Sequence, residues 1–160
     1  MKQINKKHLL FLIPIGILEI VMLVLECLPN GVAMVFTFPD SASGNFISKV
    51  EYYPYFSDMP YGYGNFCPVF IGILTIAVII LWIVNLFVDK RGIDNAIFVM
   101  TILKFIFGAV ELIFSQTAIN WAMFALSFVL AIYCIAKAVI NKELAKTKKP
   151  QGPLEETENE

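Results

Sequence analysis

The sequence predicts an all-α, polytopic membrane protein whose four transmembrane helices run up-down-up-down, with a long aromatic outer loop able to hold a short β-hairpin. Three observations carry that prediction. First, 58% of the 160 residues are hydrophobic and 16% are charged, with a mean hydropathy of +0.73, a composition suited to lipid rather than water. Second, four apolar runs, about 9–28, 67–88, 96–114 and 117–140, are each long enough at about 1.5 Å per residue to cross most or all of roughly 30 Å of hydrocarbon. Third, Lys2, Lys6, Lys7, Lys90, Arg91, Lys137, Lys142, Lys146, Lys148 and Lys149 flank the runs on one side, and Lys49 stands alone on the other. The positive side is the cytoplasmic one, so both termini are expected there and the loop 29–66 outside.

The first run, LLFLIPIGILEIVMLVLECL, is apolar except for Glu19 at its midpoint and Glu26 near its end. MKQINKKH before it has the look of a signal-peptide n-region. However, the apolar run exceeds an ordinary h-region, no A-x-A site follows and further spans come later. Cys27 follows Glu26, not the small residue a lipoprotein cysteine needs, so an uncleaved first helix is expected. Pro29-Asn30-Gly31 stops that helix. In the outer loop, Val32 to Phe38 and Phe46 to Tyr53 are β-prone runs around a turn-rich centre, which suits a hairpin. The loop's rings fit an interfacial aromatic belt, and Tyr52, Tyr53, Tyr55, Phe56, Tyr61 and Tyr63 form a candidate binding surface.

The second run, Cys67 to Val88, carries Pro68 where a helix start tolerates it, and Trp82 and Asn85 near its inner end read as interface anchors. Asp89 to Asn95 reads as a charged turn in which Asp94 or Asn95 caps the third helix. The fourth run bears a stripe of small or weakly polar residues, Asn120, Ser127, Ala131, Cys134 and Ala138, fit to pack inside the bundle or against another copy. Residues 141–160 are basic and then acidic, and are expected to form a solvated, disordered cytoplasmic tail, leaving 1–140 as one transmembrane domain.

Function has to rest on the intramembrane charges Glu19, Glu26, Lys104 and Glu111. Glu19 and Lys104 fall at similar depths, as do Glu26 and Glu111, and each helix keeps its pair seven residues apart on one face. An unpaired charge in hydrocarbon is costly, so Glu19 and Lys104 are expected to pair, with Gly16 and Gly108 easing the approach. Two carboxylates at one depth crowd each other, which makes Glu26 with Glu111 the better candidates for taking up a proton. Cys27 and Cys67 bracket the outer loop at predicted helix ends, where a disulfide would restrain it.

Enzyme signals are thin. The only histidine, His8, lies outside the spans, and no metal-ligand cluster, phosphate-binding loop, nucleophile elbow or Cys-x-x-Cys pair occurs. No catalytic residue, cofactor, metal or nucleic-acid partner is expected. The expected partners are the lipid bilayer and a homo-oligomer or larger membrane complex.

A Glu in the first of four helices is similar to the small multidrug resistance transporters, although those have short loops and another sequence around the Glu. More closely, LECLPNGVAMVFTFPD followed by YFSDMPYGYGNFCP resembles uncharacterised small four-helix membrane proteins of low-GC Gram-positive bacteria. That resemblance implies a bacterial plasma membrane and no particular activity. The expectation is therefore an accessory or structural membrane component. The alternative is an oligomeric transporter or channel subunit using the intramembrane carboxylates for proton or cation coupling.

Overall fold

The computed structural model describes residues 6–40, 44–57, 65–88 and 90–147, with side-chain surroundings given between Leu9 and Ile140. The chain is mostly helical: α1 (Lys6–Glu26), α2 (Cys67–Val88), α3 (Arg91–Phe114) and α4 (Ala118–Thr147), with strands β1 (Val32–Pro39) and β2 (Phe46–Tyr53) between α1 and α2. All four helices are long and apolar enough to cross a membrane.

Each helix buries residues three and four apart, the spacing that keeps one face turned inward. On α1 these are Leu12, Ile15, Glu19, Met22 and Glu26; on α3 they are Ile97, Thr101, Lys104 and Glu111. Helix α2 turns in Ile71, Thr75, Val78 and Asn85, and α4 turns in Asn120, Met123, Ser127, Leu130, Cys134 and Lys137. The outward faces are apolar: Ile17 is 58% exposed while Lys104 is 0% exposed. That reverses the water-soluble arrangement and suits a hydrocarbon surround, where polar groups must find partners inside the bundle. The small-residue stripe of α4 is internal as far as Cys134. Ala138 departs from it and is exposed, and Lys137 takes the buried position instead.

The helix ends differ from expectation in instructive places. Helix α3 starts at Arg91, not near residue 96, and neither Asp94 nor Asn95 is its cap: Lys90 holds that position without a side-chain bond. Asp94 instead lies in the first turn, where an acid complements the helix dipole. Thr117 caps α4 by accepting the Asn120 backbone N–H on Oγ1 at 3.0 Å. Helix α4 continues to Thr147, so the first seven residues of the expected tail are helical, and residues 148–160 lie outside the described segments.

Helix α1 packs against α2 and α4, and α3 packs against the same two. Pro14 sits inside α1 and cannot donate to the preceding turn, which weakens the ladder there. Two carbonyls of that turn take donors from neighbouring helices: Leu12 accepts the Trp82 indole N–H at 2.8 Å and Phe11 accepts the Tyr133 hydroxyl at 3.1 Å. A Cβ on Gly16 would fall inside the Trp82 ring, so this glycine makes room for an indole rather than for a second backbone. Gly108 has no such role, since a Cβ there would meet only Phe124 at 3.9 Å.

The hairpin is antiparallel, with register running from Val32 opposite Tyr53 to Pro39 opposite Phe46. Gly44, at φ 70°, supplies the left-handed residue of its turn. Directly opposed residues share a face. Residues two apart on one strand share it as well, so Phe36 stacks on Phe38, and Lys49, Glu51 and Tyr53 line up beside them, while Thr37 and Ser48 hydrogen bond on the other face.

Candidate functional site

Buried polar residues form three clusters along the bundle. At its centre Lys104 Nζ donates to Glu19 Oε2 at 2.5 Å, both residues 0% exposed, which joins α3 to α1 as their matched depths predict. The ammonium also lies 3.4 Å from Thr75 Oγ1 on α2, and Thr75 Oγ1 lies 2.5 Å from Glu26 Oε1. Three helices are thus tied through one Lys, one Thr and two Glu.

At the hairpin end Glu111 does not bond Glu26. Each has its own neutral partner, Thr75 for Glu26 and Asn65 for Glu111, with Asn65 Nδ2 donating to Glu111 Oε2 at 2.6 Å. Asn65 also accepts the Cys67 N–H at 3.0 Å and so caps α2. The hairpin base is fastened alongside. Tyr55 donates its hydroxyl to Asn120 Oδ1 at 2.6 Å and its N–H to the Glu26 carbonyl at 3.1 Å. Asn120 Nδ2 donates to Ser115 Oγ, which also accepts the Ala33 N–H, and Thr117 Oγ1 donates to the Gly31 carbonyl. Burial, together with the charges of Glu111 and Glu26 nearby, pushes the Tyr55 hydroxyl well above the ordinary tyrosine value, so it stays a donor.

At the opposite end Asp94 Oδ1 accepts both Lys137 Nζ and Asn85 Nδ2 at 2.7 Å, closing α2, α3 and α4 together. Asn85 is therefore a core residue, not an interface anchor. Sequence reasoning treated Asp94, Lys137 and Asn85 separately. The available signal was that Lys137 continues the inward spacing of Ser127 and Cys134.

The candidate binding surface divides. Tyr52 is 56% and Phe56 43% exposed, but Tyr55 is only 1% exposed and belongs to the core. Tyr53 points its hydroxyl at Glu51, and Tyr61 and Tyr63 lie outside the described residues. Lys49 and Tyr53 both donate to Glu51 and hold its carboxyl below the usual value, while that same bond raises the Tyr53 hydroxyl. An open cavity of about 680 Å³ lies where Tyr52 and Ala33 face Asn30, Gln116 and Thr117.

The expected disulfide is not formed: Cys27 and Cys67 are free thiols, Cys27 exposed and Cys67 partly buried. The helix turn explains it. Glu26 reaches Thr75 on α2, and one residue on, about 100° further round at the end of α1, Cys27 is exposed.

Among the described residues one oxygen each of Glu19, Glu26 and Glu111 has no hydrogen-bond partner. Two carboxylates, Glu19 and Glu26, share the surroundings of one central ammonium, and Glu111 stands apart on Asn65, an arrangement able to hold helices in register and to accept further positive charge. Among the described residues no group of His, Cys, Asp and Glu side chains is placed to hold a metal ion. Comparison with protein-family models, curated proteins and solved structures finds no match to this chain.

Proposed function

We propose that this chain is a small, non-enzymatic accessory or structural component of a bacterial plasma membrane, its four helices crossing up-down-up-down with both termini cytoplasmic. The observation that carries this reading is the Glu19–Lys104 pair, 0% exposed and bonded at 2.5 Å, which fills the bundle centre with a helix-locking contact. The apolar outward faces fit lipid, and the hairpin, fastened to α1, α3 and α4, is the element offered to a partner membrane protein or a second copy. The resemblance to small four-helix proteins of low-GC Gram-positive bacteria agrees with that location.

The second reading, an oligomeric transporter or channel subunit coupled to protons or cations, is favoured by the three carboxylate oxygens without partners. Proton flux into proteoliposomes separates the two. The accessory reading expects the leak of empty vesicles at every imposed gradient; a flux abolished by Glu26→Gln would replace it with the transporter reading. Orientation is tested with Ser48→Cys in a chain whose native cysteines are replaced. An impermeant maleimide is expected to label it in intact cells, and labelling only after permeabilisation would reverse the assignment.

A further inference from the structure

Thr75 has more hydrogen-bonding neighbours than its single proton can serve. Its Oγ1 lies 2.5 Å from Glu26 Oε1, 3.1 Å from the Ile71 carbonyl and 3.4 Å from Lys104 Nζ. A hydroxyl gives one hydrogen and accepts on its lone pairs; an ammonium can only donate and a carbonyl can only accept. Lys104 must therefore donate to Thr75. If Thr75 donates to Ile71, the remaining and shortest contact is a hydrogen bond only when Glu26 brings a proton of its own. If Glu26 is ionised, Thr75 has to turn its hydrogen away from Ile71 to reach it.

We propose that Glu26 and Thr75 form a buried proton-binding site, in which a neutral Glu26 donates to Thr75 and Thr75 donates to the Ile71 carbonyl. Glu26 closes α1 at the hairpin end, so the proton comes from water there: hydronium passes it to Oε1 and leaves as water. The Thr75 O–H turns from Glu26 to Ile71, and no covalent bond within Thr75 breaks. Charge is consistent with this assignment, because Glu19 already neutralises Lys104 and leaves Glu26 without a cation of its own. Glu26 Oε2 has no partner among the described residues and Glu26 is 0% exposed, a position that costs a carbonyl oxygen less than an ionised one.

The charged and titratable groups around the site are Glu19 on α1, Lys104 and Glu111 on α3, and Tyr55 from the hairpin base. Helix α2 presents Thr75, and α4 presents Ser127 against Met22, with Cys134 and Lys137 further toward the opposite end. The transporter reading would use this same Glu26, but a fixed site takes up a proton without moving it across the membrane, so the absence of a proton flux leaves the site standing.

Infrared spectra of the full chain in phosphatidylcholine–phosphatidylglycerol liposomes, taken from alkaline to acidic pH in H₂O and D₂O, test it. A protonated-carboxyl band is expected that Glu26→Gln removes and Glu111→Gln keeps. Thr75→Val, which cannot accept the hydrogen bond, is expected to move that band to higher frequency, and Thr75→Ser to leave it in place. No Glu26-dependent carboxyl band at any pH overturns the site, and so does a band whose frequency ignores Thr75→Val. If Glu26→Gln does not fold, the Thr75→Val and Thr75→Ser pair decides by the same criterion.

Discussion

The bundle centre and the hairpin each hold a lysine–glutamate pair at nearly the same distance, 2.5 Å for Lys104–Glu19 and 2.7 Å for Lys49–Glu51. The first pair is sealed at 0% exposure on both side chains, whereas the second is 67% and 36% exposed. Distance therefore does not set what such a pair contributes. Water solvates the hairpin pair whether or not it forms, but the buried pair has no water to replace a lost partner, and among the described residues Lys104 has only the neutral Thr75 hydroxyl besides Glu19. One consequence is that the same chemistry acts as a lock in one place and as a local register mark in the other.

The contrast is sharpest under substitution of the buried pair. Glu19→Gln and Lys104→Met should each lower bundle stability by about 3–5 kcal/mol, since each strands one buried charge, and the double substitution should regain part of that loss. Denaturation of the purified protein in mixed micelles measures it. Strictly additive single losses would show that the two residues do not act as a pair.

A smaller effect is expected where the hairpin meets the bundle. Tyr55→Phe leaves Asn120 Oδ1 without its donor and should cost about 1–3 kcal/mol, with faster amide exchange in β1 and β2 than in the helices. Uniform acceleration throughout the chain would mean that the hairpin is not an independently fastened unit. Gly16→Ala forces the Trp82 ring aside and should cost about 1–3 kcal/mol, with a shift in tryptophan emission that Gly108→Ala does not produce.

The smallest effect belongs to the exposed pair. Lys49→Ala should leave bundle unfolding unchanged. Because Glu51 is held below its ordinary value of 4.5, its contribution to the hairpin is complete above that pH and is lost as the pH falls through the lowered value. Amide exchange confined to β1 and β2 should therefore quicken on acidification, and Lys49→Ala should flatten that dependence. A pH response equally large in the variant would assign it to other groups.

The sequence revealed the features that depend on one segment at a time, and one contact between helices. The bounds of α2, the two strands and the common face of Glu19 and Glu26 follow from hydropathy and spacing, and matched depth was enough to join Glu19 to Lys104. The other features that depend on how helices are rotated against each other were not legible. Cys27 stays unbridged and exposed while Glu26, one residue before it, reaches α2. Tyr55 read as one ring among many until its partner Asn120, 65 residues away, was in view. Asp94, Asn85 and Lys137 each had an ordinary explanation at a span end, and only their convergence made them a cluster.

The central pair also imposes an order in time. Glu19 leaves the ribosome 85 residues ahead of Lys104, an interval of about 4–17 s at roughly 5–20 residues per second. During that interval α1 exists with an acid whose base has not yet been made. The Trp82 and Tyr133 donors to two α1 carbonyls beside Pro14 come 70 and 122 residues after their acceptors. Helix α1, made before the other three, is thus among the last to be finished, and a nascent chain cut short before α3 carries an unpaired acid as its own mark of incompleteness.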